Sequence, residues 1–254
     1  MTTPVTDFDD LEPLNRALAA DTLLFVCDFD GTIAEFSTDP MNVPVNADAI
    51  AALRRLGEHP DTEVVILSGR DYAGLKTVSG LSAPVRLVGS HGAEDGGPAG
   101  ELTDAQRERL DAVTADLEAL CARYPGSFVE HKPFHRVVHT RAVPEHEDTI
   151  LAQAETMGQG LKHMRGKCIV EFSALATTKG TWVNDQRTAM ENATGHPVPV
   201  IYIGDDVTDE DAFSVLRAGD VGIKVGDGAT AAAYRVDGVP EAARFLTYCA
   251  RTRG

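Results

Sequence analysis

The segment Asp28-Phe29-Asp30-Gly31-Thr32 sets two carboxylates one residue apart and follows them with glycine and threonine. In an extended loop such a pair can divide the work of a displacement at phosphorus, one carboxylate attacking while the other handles a proton. Composition alone does not single it out, because Asp and Gly are ordinary turn residues. Asp7-Phe8-Asp9-Asp10 has similar content, yet it has no apolar run before it and no glycine after it, so it reads as a solvated, frayed terminus. Asp28 instead ends the apolar run Thr22-Leu23-Leu24-Phe25-Val26-Cys27. Context, not composition, selects it.

A second acidic group, Gly204-Asp205-Asp206-Val207-Thr208-Asp209, follows the other strongly apolar run. If both runs are strands of one sheet, their carboxylates converge on one edge and repel unless a cation sits among them. An all-oxygen donor set of this kind suits Mg²⁺. Asp205 lies nearest the strand end and is the better ligand, whereas Asp206 and Asp209 can also serve as caps for the helix that follows. Ser68 ends a third apolar run ahead of a helical pattern, where a hydroxyl and free N–H groups can take a phosphate or cap the helix. Lys179 opens another helical pattern. A cation there is mildly unfavourable against the helix dipole, which points to a role other than helix stability.

These residues need elements to position them. Apolar runs at 22–27, 63–67, 85–88 and 199–203 end respectively at Asp28, Ser68-Gly69-Arg70, Gly89-Ser90-His91-Gly92 and Gly204-Asp205-Asp206. Helical patterns at 47–56, 72–78, 179–190 and 209–216 lie between them, the last opened by Thr208-x-x-Asp211 in the manner of a capping box. The alternation predicts an α/β core with a doubly wound parallel sheet. Such sheets bind ligands at the carboxyl ends of their strands, which is where the acidic residues fall.

The middle of the chain differs. After the breaker Gly96-Gly97-Pro98-Ala99-Gly100 come a charged helical stretch at 102–124, two alternating strands around Lys132-Pro133-Phe134, a further helical piece and a strand at 167–172. The expectation is an inserted α+β domain at 95–174 covering the catalytic edge, with the core made of 1–94 and 175–254. Glu130 and Lys132, His139 and Arg141, and Lys167 and Glu171 are evenly spaced, which places each pair on one strand face.

With 254 residues, 43% of them hydrophobic, the chain can bury a core plus a smaller domain. The net charge of -16 disfavours nucleic acid and anionic membranes as partners. It leaves room for a small anion held by a local cluster of Arg and Lys. There is no apolar run of about 18 residues and no signal-like start, so a cytoplasmic location is expected. Cys27, Cys121, Cys168 and Cys249 are far apart and read as reduced, structural thiols.

Taken in order, Asp28-x-Asp30-Gly31-Thr32, Ser68, Lys179 and Gly204-Asp205-Asp206-x-x-Asp209 resemble the four motifs of the haloacid dehalogenase superfamily. Finer features resemble its trehalose-6-phosphate phosphatase family: Ser68-Gly69-Arg70, Gly89-Ser90-His91-Gly92, Glu130-His131-Lys132 with His139-x-Arg141, Lys167-x-x-x-Glu171, Lys179-Gly180 and Gly204-Asp205-Asp206-x-Thr208-Asp209-Glu210. The resemblance implies a Rossmann-like core with an α+β cap, and magnesium-dependent hydrolysis of trehalose 6-phosphate through an aspartyl-phosphate. It implies Asp28 as nucleophile, Asp30 as acid and then base, and Thr32, Ser68, Gly69 and Lys179 as phosphate holders. Asp28, Asp205 and the Asp30 carbonyl would hold Mg²⁺, with Asp206 and Asp209 behind them. Arg70, Glu130, His131, Lys132, His139, Arg141, Lys167 and Glu171 would hold the sugar.

One departure stands out, since the stretch 171–179 lacks the proline and the glycine or asparagine expected before the family's lysine. A small sugar phosphate is the expected partner and a monomer the expected state. Other readings stay open: a phosphatase for sucrose phosphate or mannosylglycerate phosphate, an inactive sugar-phosphate-binding module, or a phosphomutase.

Overall fold

Strands and helices build two units, Met1–Pro98 with Thr177–Gly254, and Ala99–Ala176. The structure is a computed structural model and describes residues 2–37, 39–97, 101–158 and 160–254. Pro98, Ala99 and Gly100 of the expected breaker lie outside the described residues.

The first part of the discontinuous unit runs β1 (Thr3–Pro4), α1 (Glu12–Leu18), β2 (Leu23–Cys27), α2 (Ala47–Gly57), β3 (Thr62–Leu67), α3 (Tyr72–Ser79), β4 (Arg86–Gly89) and β5 (Glu94–Asp95). The inserted unit contains α4 (Asp104–Cys121), β6 (Phe128–His131), β7 (His135–His139), α5 (Glu147–Glu155), β8 (Lys162–Gly166) and β9 (Ile169–Ser173). The first unit then resumes with α6 (Lys179–Thr194), β10 (Val200–Gly204), α7 (Val207–Ser214), β11 (Val221–Val225), β12 (Tyr234–Val236) and α8 (Val239–Arg253).

The strands of the larger unit are ordered β1-β12-β11-β10-β2-β3-β4-β5, all pairs parallel except β4 with β5. Every residue of β2, β10 and β11 is buried, as expected for parallel strands covered on both faces. Leu23, Phe25 and Cys27 point into the layer that includes α1, α2 and α8, whereas Leu24 and Val26 point to Trp182, Val183 and Phe213 of α6 and α7. From β2 the strand order runs one way through β3 and β4 and the other way through β10, β11 and β12. The crevice beyond β2 and β10 is therefore the switch point at which such sheets bind ligands.

The inserted unit is an antiparallel sheet ordered β6-β7-β9-β8. Val138, Val170 and Phe172 on one of its faces pack with Leu110, Val113 and Leu117 of α4 and with Ile150 and Leu151 of α5.

Several expectations need correction. The strand placed at 167–172 is the second arm of a hairpin: β8 and β9 pair around Lys167-Cys168, and Cys168 takes φ +60 in that tight turn. Three of the five residues of β8 are exposed and none is buried, so no apolar run announced it. Asp7, Asp9 and Asp10 are exposed as expected, but the segment 3–8 is not frayed. Phe8 is buried edge-on against Phe245, and β1 pairs with β12. Helix α7 begins at Val207 with Asp206 as N-cap, ahead of the Thr208 start suggested by spacing. In place of the missing proline before Lys179, Thr178 caps α6 by accepting from the Thr181 N–H at 3.1 Å.

Candidate active site

The alternation of β2 aims Leu24, Val26 and then Asp28 at the layer holding α6 and α7. The Asp28 N–H is fixed by the Ile203 carbonyl of β10 at 2.9 Å. The first residue of α6 meets it there: Lys179 Nζ donates to Asp28 Oδ1 at 2.6 Å and to Asp209 Oδ1 at 2.8 Å, and all three side chains are buried. This contact accounts for a cation at a helix N-terminus, where the dipole alone would disfavour it.

Asp209 is held from two further directions. Tyr202 of β10 donates its hydroxyl to Asp209 Oδ1 at 2.7 Å, and the Asp206 N–H donates to Oδ2 at 2.8 Å, closing the first turn of α7. Gly204 must be glycine for this approach, because a Cβ there would lie 2.3 Å from Asp209 Cγ. Asp209 therefore both caps a helix and fixes Lys179. Asp205 lies across from the first loop. A Cβ on Gly31, whose φ is +79, would fall 2.1 Å from Asp205 Oδ2. Thr32 Oγ1 reaches Asp205 Oδ1 at 3.3 Å and Asp28 Oδ2 at 3.4 Å.

Three carboxylates thus face one ammonium. One oxygen from each of Asp28, Asp205 and Asp209 lies within 4.8 Å of the others. Burial lifts the Asp28 carboxyl well above its usual range, Lys179 opposes the rise, and Asp209 and Asp205 add to it. Asp205 is pushed up to about 7 by burial first, then by Asp209 and Asp206. Burial pulls on Lys179 in the opposite sense, but Asp209 and Asp28 outweigh it and hold the ammonium above the ordinary lysine range. The surplus negative charge can be relieved only by protons or by a cation. Hard oxygen donors with free valences on Asp28 and Asp205 fit a divalent ion of the Mg²⁺ type.

Asp30 stands nearby in an ion pair with Arg70, whose Nε and Nη2 reach its two carboxylate oxygens at 2.6 Å each. Arg70 also donates to the Pro40 carbonyl. Ser68 is buried at the end of β3, and its Oγ accepts the Arg70 N–H at 3.1 Å. Gly69 is packed against the His91 ring, where a Cβ would lie 2.6 Å from Cε1. Ser90 and His91 both adopt left-handed backbone, φ +48 and +56, strain of the kind that gathers at working sites.

In the inserted unit, Glu130, Lys132, His139 and Glu171 belong to the sheet face turned away from α4 and α5. His139 Nε2 meets Glu130 at 2.9 Å, and Lys132 Nζ lies 3.4 Å from Glu171. The contact with His139 lowers the Glu130 pKa, against the effect of burial. His131 does not join this set: it alternates to the other face and meets Glu118 of α4 at 2.9 Å. Arg141 and Lys167 are exposed in turns, so Lys167 does not share a strand face with Glu171. Tyr202 escaped sequence reasoning because a tyrosine inside an apolar strand is indistinguishable from core. Phe128 did as well, although it is exposed and stacked on His139 with ring centroids 4.7 Å apart.

Comparison with known proteins narrows the chemistry. The Trehalose-6-phosphate phosphatase of Escherichia coli (strain K12) is 33% identical over 229 residues, covering 86% of this chain and 83% of that protein. The Trehalose-phosphate phosphatase of Mycobacterium marinum is 35% identical over 235 residues; the match covers 86% of this chain and 59% of the mycobacterial protein. In structure, the C-terminal domain of C. albicans Trehalose-6-phosphate phosphatase superposes with a TM-score of 0.83 at 21% identity, covering 99% of each chain, which shows a shared fold. The trehalose-phosphatase family model matches residues 26–240, a span holding Asp28, Ser68, Lys179, Asp205 and the whole inserted unit, and the chain belongs to that family.

Proposed function

We propose that this chain hydrolyses trehalose 6-phosphate to trehalose and inorganic phosphate, the last step of trehalose biosynthesis. Buried Lys179, bridging Asp28 and Asp209, carries the reading. It leaves Asp28 Oδ2 as the oxygen able to attack, and it sets a fixed positive charge where equatorial phosphoryl oxygens gather charge.

Asp28 attacks phosphorus and the bond to the sugar oxygen breaks, giving an aspartyl-phosphate and the disaccharide. Asp30 gives its proton to the departing oxygen, then takes one from the water that attacks phosphorus and frees Asp28. The Arg70 ion pair occupies both Asp30 oxygens, so Asp30 must turn away from Arg70 to act, which leaves the guanidinium for the sugar. Thr32, Ser68, Gly69 and Lys179 hold the phosphate. Asp28, Asp205 and the Asp30 carbonyl would hold Mg²⁺, with Asp206 and Asp209 behind them; when bound, the ion would neutralise charge on the transferring group. In the inserted unit, acting as a cap, Glu130, Lys132, His139 and Glu171 take sugar hydroxyls from one sheet face, with Arg141 and Lys167 at its turns. His131 is left out of this assignment because it faces α4. No described helix is long and apolar enough to cross a membrane, and we place the enzyme in the cytoplasm as a monomer.

Phosphate release from a panel of sugar phosphates, with and without Mg²⁺, tests the proposal. Trehalose 6-phosphate should exceed sucrose 6-phosphate and glucose 6-phosphate by well over about tenfold in kcat/KM. The Asp28→Asn variant should be inert on all of them. A smaller preference transfers the chain to another sugar phosphate. Turnover that survives Asp28→Asn removes the nucleophile assignment.

A further inference from the structure

Strand β11 carries an anomaly. Its five residues Val221-Gly222-Ile223-Lys224-Val225 are all buried in the middle of a parallel sheet, where apolar residues are the rule, yet the fourth is lysine, 4% exposed. Val221, Ile223 and Val225 fill the layer shared with α1, α2 and α8. Gly222 faces the other way and packs under Phe213 and Leu216, and Lys224 follows it on that side. A buried ammonium is costly unless its donors are used.

The contacts of Lys224 are specific. It pairs with Gly204 in the register of β10 and β11, at the last residue before the acidic loop. Its Nζ donates to the Asp205 carbonyl, lies 3.5 Å from the Asp206 carbonyl and stands 3.4 Å from Glu210 Oε1. Glu210 is anchored in turn, its Oε2 accepting from the Ala231 N–H at 2.8 Å and from Thr230 Oγ1 at 3.2 Å. The loop 229–232 thus braces Glu210, Glu210 braces Lys224, and Lys224 grips the backbone of the two aspartates. Nothing in the helix favours a cation here, because the first turn of α7 presents the positive end of its dipole. The charge matches the loop instead.

We propose that Lys224 is a positioning residue for the acidic loop: by pinning the carbonyls of Asp205 and Asp206 it holds the Asp205 carboxylate against Gly31, where that carboxylate would serve a divalent cation. The inference rests on the reading of Asp205 as a metal ligand. The Lys224 ammonium is engaged by the Asp205 and Asp206 carbonyls and Glu210, so it is assigned no contact with phosphate or sugar. Its effect belongs in metal affinity and in kcat at limiting metal, with KM for the sugar phosphate unmoved.

The test uses the full chain stripped of metal and titrated calorimetrically with Mg²⁺ alone. Lys224→Met keeps the bulk of the side chain and removes the donors. It should weaken Mg²⁺ binding by about ten- to a hundredfold, the usual effect of losing a group that orients a ligand. Lys224→Arg retains charge and donors and should restore most of the loss. If Lys224→Met does not fold, Lys224→Gln, which keeps one N–H₂ donor group, carries the same titration. Mg²⁺ affinity within about twofold of wild type in Lys224→Met, or in Lys224→Gln where Lys224→Met does not fold, overturns the proposal, since a merely structural lysine would lower the Tm and leave affinity alone. The two failures are separable. A wild-type chain that shows the Mg²⁺ effect but releases no phosphate from trehalose 6-phosphate overturns the substrate reading alone. Normal turnover with unchanged affinity in the variants overturns the role of Lys224 alone.

Discussion

Replacing Gly31 by alanine adds one methyl group between the two halves of the acidic site. Two separate effects should follow. The backbone at φ +79 is easy for glycine and costs alanine about 1–2 kcal/mol. In a chain of this size that lowers the Tm by about 2–8 °C. The second effect is local. The new Cβ would sit 2.1 Å from Asp205 Oδ2, 2.4 Å from its Cγ and 2.7 Å from Oδ1, all inside the 3.0 Å that real Cβ contacts respect. The Asp205 carboxylate must therefore retreat by roughly 1 Å, a displacement that can cost about a hundredfold in rate when the group positions reacting atoms. Gly80→Ala is the matched control. It carries φ +58 with nothing within 4 Å of the added Cβ, so it should lose comparable stability and keep full activity. Thermal unfolding and kcat/KM with trehalose 6-phosphate, measured on both variants, separate the two effects. A folded Gly31→Ala enzyme with activity within about threefold of Gly80→Ala would refute the placement of Asp205 in the working site.

Two further outcomes can be checked. Asp205 must be ionised to hold a cation, and without one burial and its acidic neighbours push its carboxyl up to about 7. The Mg²⁺ affinity of the metal-free protein should therefore weaken by up to about tenfold per unit as pH falls below 7, with about one proton released per ion bound. In the metal-free protein the same raised pKa stabilises the fold below the ordinary value of 3.8 and is lost as pH rises through about 7. Calorimetry in buffers of different ionisation enthalpy reads the proton count, and an affinity flat from pH 5.5 to 8 would sink the assignment. Arg187, 1% exposed, joins Asp220 at 2.6 Å and the Val215 carbonyl at 2.9 Å. Arg187→Met leaves buried Asp220 without its countercharge and should cost about 3–5 kcal/mol in urea unfolding while kcat in the folded enzyme holds. A loss under about 1 kcal/mol would mean that the pair is solvated in practice.

Strand ends and acidic loops were legible in the sequence because the parallel sheet is buried on both faces. An apolar run stopped by Asp28, Ser68 or Asp205 marks the exit from a core, and the topology then brings those exits together. The missed elements lack that contrast. β8 has no buried residue, and its partner β9 is the only arm of the hairpin with apolar residues enough to show. The even spacing of Lys167 and Glu171 suggested one strand face. It failed because a tight turn falls between them, held by a non-glycine residue, Cys168, at φ +60 that no turn signal announced.

The roles of individual side chains depended on direction more than on position. His131 lies between Glu130 and Lys132 in the sequence, yet strand alternation sends it to the helix-covered face and Glu118. Asp209 offered a choice between cap and ligand, and its geometry combines the cap with a third use: it accepts from the Asp206 N–H, Tyr202 and Lys179 together. Its oxygens are committed to neighbours, whereas Asp205 packs against Gly31 and meets Thr32 Oγ1 at 3.3 Å. The same four-residue spacing thus yields one carboxylate that organises the site and one that is available to a cation. The difference went unread in the sequence because it lies in Tyr202 and Lys224, two polar residues set in otherwise apolar strands whose side chains reach the acidic loop. A buried polar group needs a partner, so a tyrosine or lysine in the buried strands flanking an acidic loop is itself a signal that the loop is being held.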